Sequence, residues 1–421
     1  LLFWPLPLRA DENYSFDLAE IEKNPYHFGG YLEAKPLLSS PSGDSAIYHL
    51  KYRERDLGKS LEEANLKLQL EGSYEKGIAG FYFKTNTDLK LSRLGDQERT
   101  DLFEGYFSLK PSSSWRIDAG KKTFKWGKGY AWNPVGFLDR PKDPDDPEVG
   151  MEGVFALSAD YTKSFDGALK TVSFTPVLQP IYEHVNAEFG KRNYINAAGK
   201  LYLLLYDTDI DFMFLTGGSR TTRFGVDFSR NVTTNWEIHG EFAYLRDFQT
   251  NLIDPVGKVT PREFDATTYL LGMRYLTVRD TTYLLEYYRN GMGFNGAEMQ
   301  NFFNFVQNSY RTYAAGGGDV ALQKAAQLSD GQYGRPNAMR DYLYLRVSQK
   351  EPFDLLYVTP AVTAILNLND RSQTLSPEIA YTGITNLDLR LRASFIRGAS
   401  GSEYGEKSFD FKLELRIGYY F

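Results

Sequence analysis

The segment Lys407-Ser408-Phe409-Asp410-Phe411-Lys412-Leu413-Glu414-Leu415-Arg416-Ile417-Gly418-Tyr419-Tyr420-Phe421 alternates almost without error. Phe409, Phe411, Leu413, Leu415, Ile417, Tyr419 and Phe421 fall on one side, and Asp410, Lys412, Glu414, Arg416 and Gly418 on the other. Successive side chains of a strand point to opposite faces, so this stretch has one apolar face and one charged face. The apolar row is long enough to cross a bilayer at the tilt of a barrel strand, which takes roughly 9 to 11 residues. A lipid-facing strand is therefore the first expectation.

The same period-2 pattern runs through the chain. Leu66, Leu68, Leu70 and Tyr74 oppose Lys67, Gln69 and Glu71; Phe224, Val226 and Phe228 oppose Arg223, Asp227 and Ser229. Trp236, Ile238, Phe242 and Tyr244 oppose Glu237, His239 and Glu241; Tyr269, Leu271, Met273 and Tyr275 oppose Gly272 and Arg274. Near the end, Leu387, Leu389, Leu391 and Phe395 oppose Asp388, Arg390, Arg392 and Ser394. A charged second face on so many strands implies a sheet closed on itself, because an open edge in lipid would leave backbone groups unpaired.

Composition agrees. The 421 residues include 30 Tyr and 29 Phe, at 42% hydrophobic, yet mean hydropathy is −0.43. Interleaved polar and apolar residues with aromatic girdles explain that combination. No apolar run reaches the roughly 18 residues of a transmembrane helix. With no Cys, the chain has no disulfide, no thiol nucleophile and no covalent Cys-x-x-Cys-His haem. A formal charge of −6 without a basic stripe gives no support to nucleic-acid binding.

Tight connections are expected at Pro111–Ser114, Ser164–Gly167, Tyr206–Asp209, Val232–Asn235, Val278–Asp280, Glu351–Asp354 and Gly383–Asn386. Longer ones alternate with them at 123–149, 179–200, 251–264, 291–340 and 398–406. This is the arrangement of short periplasmic turns and long extracellular loops. Trp115 and Trp236, just after short turns, are expected on the periplasmic girdle. About nineteen candidate strands can be marked, and evenness reduces the number to about 18, with 16 and 20 as neighbouring solutions. The doubt falls before Phe83, where either Tyr14–Leu18 is an extra strand or Asp56–Ala64 hides an irregular connection. The fold class is all-β, a transmembrane antiparallel β-barrel over 25–421. Residues 1–24 are read as a signal remnant or an N-terminal periplasmic or luminal segment.

The densest local signal is Gly120–Pro134. Lys121, Lys122, Lys125 and Lys128 could form a positive patch at the mouth or constriction, with Trp126, Tyr130 and Trp132 as a stacking surface for a sugar, aromatic compound or haem edge; the alternative is a loop with ordinary girdle aromatics. The acidic stretch that follows could offer Asp143, Asp145, Asp146 and Glu148 to Ca²⁺, but the spacing is not that of an EF-hand and a solvated loop is preferred, so no metal site is assigned. In 291–340, Met299, Phe302, Phe303, Val306, Tyr310 and Tyr313 share one helical face, Gly316-Gly317-Gly318 ends it, and Asp319–Leu328 follows as a second helix. This insertion is expected to be the constriction or a lid. His27, His49, His184 and His239 lack metal-ligand spacing, and the sequence has no hydrolase elbow, phosphate loop or dinucleotide fingerprint. No enzyme is expected.

The channel-lining set is Arg223, Asp227, Glu237, Glu241, Arg274, Asp388, Arg390, Arg392, Asp410, Lys412, Glu414 and Arg416. Its last strands mix signs, so strong ion selectivity is not expected from them.

With these residues in view, the chain resembles a Gram-negative outer-membrane porin. The strand ending in Tyr419-Tyr420-Phe421 resembles the signal that the barrel-assembly machinery recognises, with Tyr419 and Phe421 as its apolar residues. The Gly120–Pro134 stretch, with Gly-Lys before Trp-Gly and then Asn-Pro, is similar to porin-like barrels of environmental proteobacteria, including barrels partnered with multihaem cytochromes. The resemblance implies an outer-membrane location among lipid and passive diffusion of small polar or charged solutes, with no cofactor in this chain. The alternative it implies is a sheath around a multihaem cytochrome, the haem belonging to that partner.

Overall fold

The computed structural model describes residues 24–421, so the reading of 1–24 and of Tyr14–Leu18 lies almost wholly outside the described residues. The strands are β1 (Tyr26–Pro41), β2 (Leu61–Lys76), β3 (Ala79–Ser92), β4 (Gln97–Ser112), β5 (Trp115–Lys122) and β6 (Val154–Ser164). They continue as β7 (Leu169–Ile181), β8 (Tyr194–Leu205), β9 (Thr208–Thr216), β10 (Arg223–Thr233), β11 (Trp236–Ile253) and β12 (Val259–Leu276). The last six are β13 (Thr281–Arg289), β14 (Asp341–Gln349), β15 (Val358–Asn367), β16 (Gln373–Ile384), β17 (Leu387–Arg397) and β18 (Phe409–Tyr420). They form one 18-stranded sheet. Each strand pairs antiparallel with the next, and β1 pairs antiparallel with β18, so the sheet has no free edge, as lipid requires.

The apolar row faces outward. Leu413, Leu415, Ile417, Tyr419 and Phe421 are all exposed, whereas Arg416, one residue away on the opposite face, is 8% exposed. Leu66, Leu68, Phe224, Phe242, Leu271 and Leu391 are exposed in the same way. Trp115 and Trp236, at 45% and 38% exposure, lie beside the short turns and bracket the apolar belt at that end. Closure is tight at Gly30, which exchanges two backbone hydrogen bonds with Phe421, at 2.9 and 3.1 Å.

The seven expected turns join β4–β5, β6–β7, β8–β9, β10–β11, β12–β13, β14–β15 and β16–β17. The irregular stretch before Phe83 is a connection: α1 (Ala46–Tyr52) followed by turns up to Leu61. Two expected long loops are shorter than their sequence suggested. At 251–264, β11 and β12 continue their pairing out to Ile253 and Val259, and at 179–200, β7 and β8 pair out to Ile181 and Tyr194.

The insertion after β13 folds as α2 (Gly296–Ala314) and α3 (Val320–Leu328). An Asn295–Glu298 capping box starts α2: each side chain accepts the other residue's backbone N–H, both at 2.9 Å. Asp319 precedes α3 but makes no capping bond to the backbone; its carboxylate accepts from Gln323 Nε2 at 2.8 Å instead. The buried face of α2, including Phe302, Phe303 and Val306, packs into one core with Leu50 of α1, Leu322 of α3 and Tyr342 of β14. The two helices thus form a lid joined to the other extracellular loops.

Candidate functional site

The chain between β5 and β6, residues 123–153, folds into the barrel and crosses it. Two wall glutamates fix its first half. Glu241 on β11 accepts the backbone N–H groups of Lys128 at 2.6 Å, Gly129 at 2.5 Å and Val135 at 3.2 Å. Glu286 on β13 accepts the N–H groups of Tyr130 and, at 2.9 Å, Ala131, and also meets His239 Nε2 at 2.8 Å. Consecutive amides converging on a carboxylate form an anion-binding nest, here turned onto the protein's own wall. Gly127 is needed for that approach: its φ is +105°, and a Cβ there would lie 2.7 Å from Glu241 Oε1.

The tryptophans are not a stacking surface for solutes, which corrects the expectation for Trp126 and Trp132. Both are nearly fully buried, at 3% and 5% exposure. Trp126 packs with Val135, Phe137 and Leu245. Trp132 stacks on Tyr288 with ring centroids 4.9 Å apart and donates Nε1–H to Asn337 of the lid at 3.1 Å. Nor is there a free positive patch at this point, since Lys128 is paired with Asp211 on β9 at 3.0 Å and Lys121 with Glu152. Lys125 alone of the five assigned residues is exposed, and Tyr130 donates its hydroxyl to Glu148 at 3.1 Å. The inward path of the loop causes all of this, because it turns an aromatic-rich segment into core.

The second half runs against β17 and β18. Asp139 closes the turn by accepting N–H from Phe124, Lys125 and Trp126 at 2.9, 3.0 and 2.8 Å, while burial pushes its carboxyl up from the ordinary value. Asp146 reaches Arg416 on β18, and Glu148 meets Arg390 on β17 at 2.9 Å. Arg392 donates to the Asp145 carbonyl at 2.9 Å. Burial raises the Asp146 and Glu148 carboxyls, but Arg416 and Arg390 outweigh it and hold both below their ordinary values. Asp143, Asp145 and Glu148 are exposed and Asp146 is half-buried, so the acids sit on an open loop, and among the described residues no group of acids and histidines has the arrangement of a metal site.

The segment Pro144–Glu148 separates two chambers. The outer one, about 570 Å³, lies under the lid and includes Pro144, Asp145 and Lys412 in its lining. The inner one, about 450 Å³, lies on the periplasmic side and is lined by Tyr130, Glu148, Arg274, Arg346, Glu378 and Arg390 among others.

The assigned luminal residues divide accordingly. Arg274, Arg390 and Lys412 border the chambers. Asp388 pairs with Arg390 at 3.1 Å, Arg392 with Glu378, and Glu414 with Arg416 at 3.1 Å. Glu237 meets His239 Nδ1 at 3.2 Å, and Asp410 lies 3.8 Å from Arg397 at the outer rim. Arg223 lies near the outer end of β10. Asp227 and Glu241 do point inward, but they are fully or almost fully buried. The loop covers them, so Glu241 holds backbone rather than lining water. Glu286, Arg346 and Glu378 were not singled out from sequence. The available signal was Glu286 alternating with Leu285 and Tyr287 in a strand whose inward row is otherwise Leu284 and Tyr288.

No family model matches the sequence, and no curated protein matches it. Solved structures do. Acinetobacter baumannii OccAB1 is similar over 94% of this chain and 96% of its own, at 9% identity and a TM-score of 0.55. Pseudomonas aeruginosa OccK5 (OpdH) covers 93% and 97%, at 12% identity and a TM-score of 0.52. The fold is that of an outer-membrane porin. Escherichia coli Wzi, described as a carbohydrate-binding β-barrel of capsule assembly, is also similar, over 92% of this chain and 83% of its own, at 10% identity and a TM-score of 0.53. Its presence beside the porins means that the fold alone does not choose the solute. A closed 18-stranded barrel of porin type with an apolar outer belt belongs to the bacterial outer membrane.

Proposed function

We propose that this porin-type barrel is a passive outer-membrane channel for small polar or charged solutes. The observation that carries the reading is the inward loop 123–153, pinned to β9, β11, β13, β17 and β18. It narrows an ionic lumen to small-molecule chambers of about 570 and 450 Å³. Such spaces suit a single small solute with part of its hydration shell. The function needs no cofactor and no catalytic group. A barrel enclosing a multihaem cytochrome would need the lumen clear, and the loop's five wall attachments weigh against that reading. The strand ending in Phe421 is offered as the signal for barrel assembly.

The test is reconstitution of the detergent-purified protein in a planar bilayer with a visible spectrum of the same sample. Discrete ion-conducting steps from a haem-free protein are expected. Co-purifying haem with no conductance would overturn the channel reading in favour of the sheath.

A further inference from the structure

Three acids lie side by side on the lumen face of adjacent strands. Asp227 of β10 is the direct cross-strand partner of Asp211 on β9 and of Glu241 on β11, and none of the three is more than 3% exposed. Directly opposed residues have Cβ atoms about 4.5–5.5 Å apart, a separation at which like charges destabilise the pair. Two of the three are engaged. Glu241 accepts the Lys128, Gly129 and Val135 amides. Asp211 Oδ2 meets Lys128 Nζ of the same loop at 3.0 Å, while its Oδ1 lies 3.7 Å from Lys200 Nζ of β8, beyond hydrogen-bond reach. Asp227 is different. Neither of its carboxyl oxygens has a hydrogen-bond partner among the described residues.

The charged groups that bear on Asp227 are Asp211, Glu241 and Lys128, and Asp209 of β9 adds to the acids around Lys128. An ionised Asp227 would stand buried between two carboxylates with no N–H or O–H to receive its charge, and Lys128 is already seated on Asp211. A protonated Asp227 removes that charge and supplies a donor. The acceptor beside it is Asp211 Oδ1, which also lacks a hydrogen bond. One proton on Asp227 therefore satisfies both side chains and leaves Asp211 Oδ2 to hold Lys128.

We propose that Asp227 carries a proton that it donates to Asp211, and that it is thereby a positioning residue for the inward loop, fixing the carboxylate on which Lys128 sits. This deepens the channel reading and rests on it for its physiological meaning, because the segment from Lys128 to Val135 is held against this wall and its position sets the width left for solutes. Asp227 touches no solute itself, since the loop covers it.

The experiment compares the full wild-type chain with Asp227→Asn and Asp227→Ala in neutral detergent at about pH 7, well above the ordinary aspartate value of about 3.9. The readouts are the infrared C=O band of protonated carboxyl groups and the rate of protease cleavage within 123–153. Both variants are expected to lose one residue's share of that band. Asp227→Asn keeps a donor toward Asp211, so its cleavage rate is expected to match wild type. Asp227→Ala leaves Asp211 Oδ1 without a donor, and cleavage is expected to be about fivefold faster, the effect of one lost hydrogen bond. An ionised Asp227 predicts the opposite sign, because both variants then remove a repulsion and both slow cleavage. An unchanged acid band, or equal changes of cleavage rate in the two variants, slower or faster, would overturn the proposal. Heat-modifiable gel migration shows that each variant is a folded barrel; should Asp227→Ala fail it, the band and the Asp227→Asn rate decide. Neither readout uses conductance. A conducting protein that keeps the band unchanged in Asp227→Asn sinks the proton on Asp227 and leaves the channel standing, whereas the expected band loss and cleavage pattern in a protein that conducts no ions does the reverse.

Discussion

Glu286 Oε1 lies 2.8 Å from His239 Nε2, and the same carboxylate holds the Tyr130 and Ala131 amides of the inward loop. The barrel wall thus keeps one hydrogen-bonded pair beside a second nest, where Glu241 holds Lys128, Gly129 and Val135. These two wall carboxylates anchor the first half of the loop through its backbone.

Removing an anchor should therefore free the loop without opening the barrel. In Glu241→Ala, three amides lose their acceptor, at a cost of about 1–3 kcal/mol for each that stays buried. Larger and noisier single-channel steps, with new protease cuts inside 123–153, are expected from a barrel that still shows heat-modifiable migration. Wild-type conductance and resistance would contradict the anchoring role.

Asp146 and Glu148 are paired directly with Arg416 and Arg390 on the lumen wall. Replacing both with Asn and Gln leaves the guanidinium charges in place, each worth about 1–4 kcal/mol to an ion at about 4 Å, depending on local dielectric. The reversal potential under a KCl gradient should move toward anion selectivity. A shift toward cations would mean that these arginines do not face the ion path.

Trp132 joins loop and lid. Trp132→Ala should cost about 3–5 kcal/mol as a large-to-small core change, whereas Trp132→Phe keeps the stack on Tyr288 and loses only the bond to Asn337. Hydrogen exchange in α2 is the readout, since Trp132 shares a core with Phe302 and Phe303. Unchanged α2 protection in the alanine variant would separate the two elements.

The His49 ring of α1 stacks on Tyr310 of α2 with centroids 3.6 Å apart. Burial lowers its pKa, outweighing Asp44 and Glu406. The docked ring therefore binds a proton less readily than the undocked one. Its stabilising contribution is full above the ordinary value of about 6.5 and is lost as pH falls through the depressed docked value. Faster amide exchange in α1 and α2 is expected at about pH 5 than at about pH 8 after correction for intrinsic rates. His49→Phe should remove the difference.

Closure depends on Gly30. A Cβ there would lie 2.7 Å from the Gln69 carbonyl and 2.8 Å from Phe421 Cε2, whereas at Gly43 nothing lies within 4 Å. Gly30→Val should abolish heat-modifiable migration and Gly43→Val should not. Equal folding of the two would show that the β1–β18 seam tolerates displacement.

Alternation alone determined the architecture, because a two-residue period assigns each side chain to lipid or lumen before any partner strand is known. The Leu413–Phe421 row and the short turns followed from it; barrel evenness reduced about nineteen candidate strands to about 18, and a separate 3.6-residue period gave the α2 face built on Met299, Phe302 and Val306. The interior was different. Trp126 and Trp132 read as binding aromatics, and Asp227 and Glu241 as water-facing, since periodicity states which side a residue points to and not what fills that side. Only the tertiary structure decided that 123–153, rather than the helical insertion, crosses the lumen. That choice rests on contacts 106 to 156 residues apart in sequence, from Glu241 to Val135 and from Glu286 to Tyr130, and long-range pairings of this kind leave no local periodic trace.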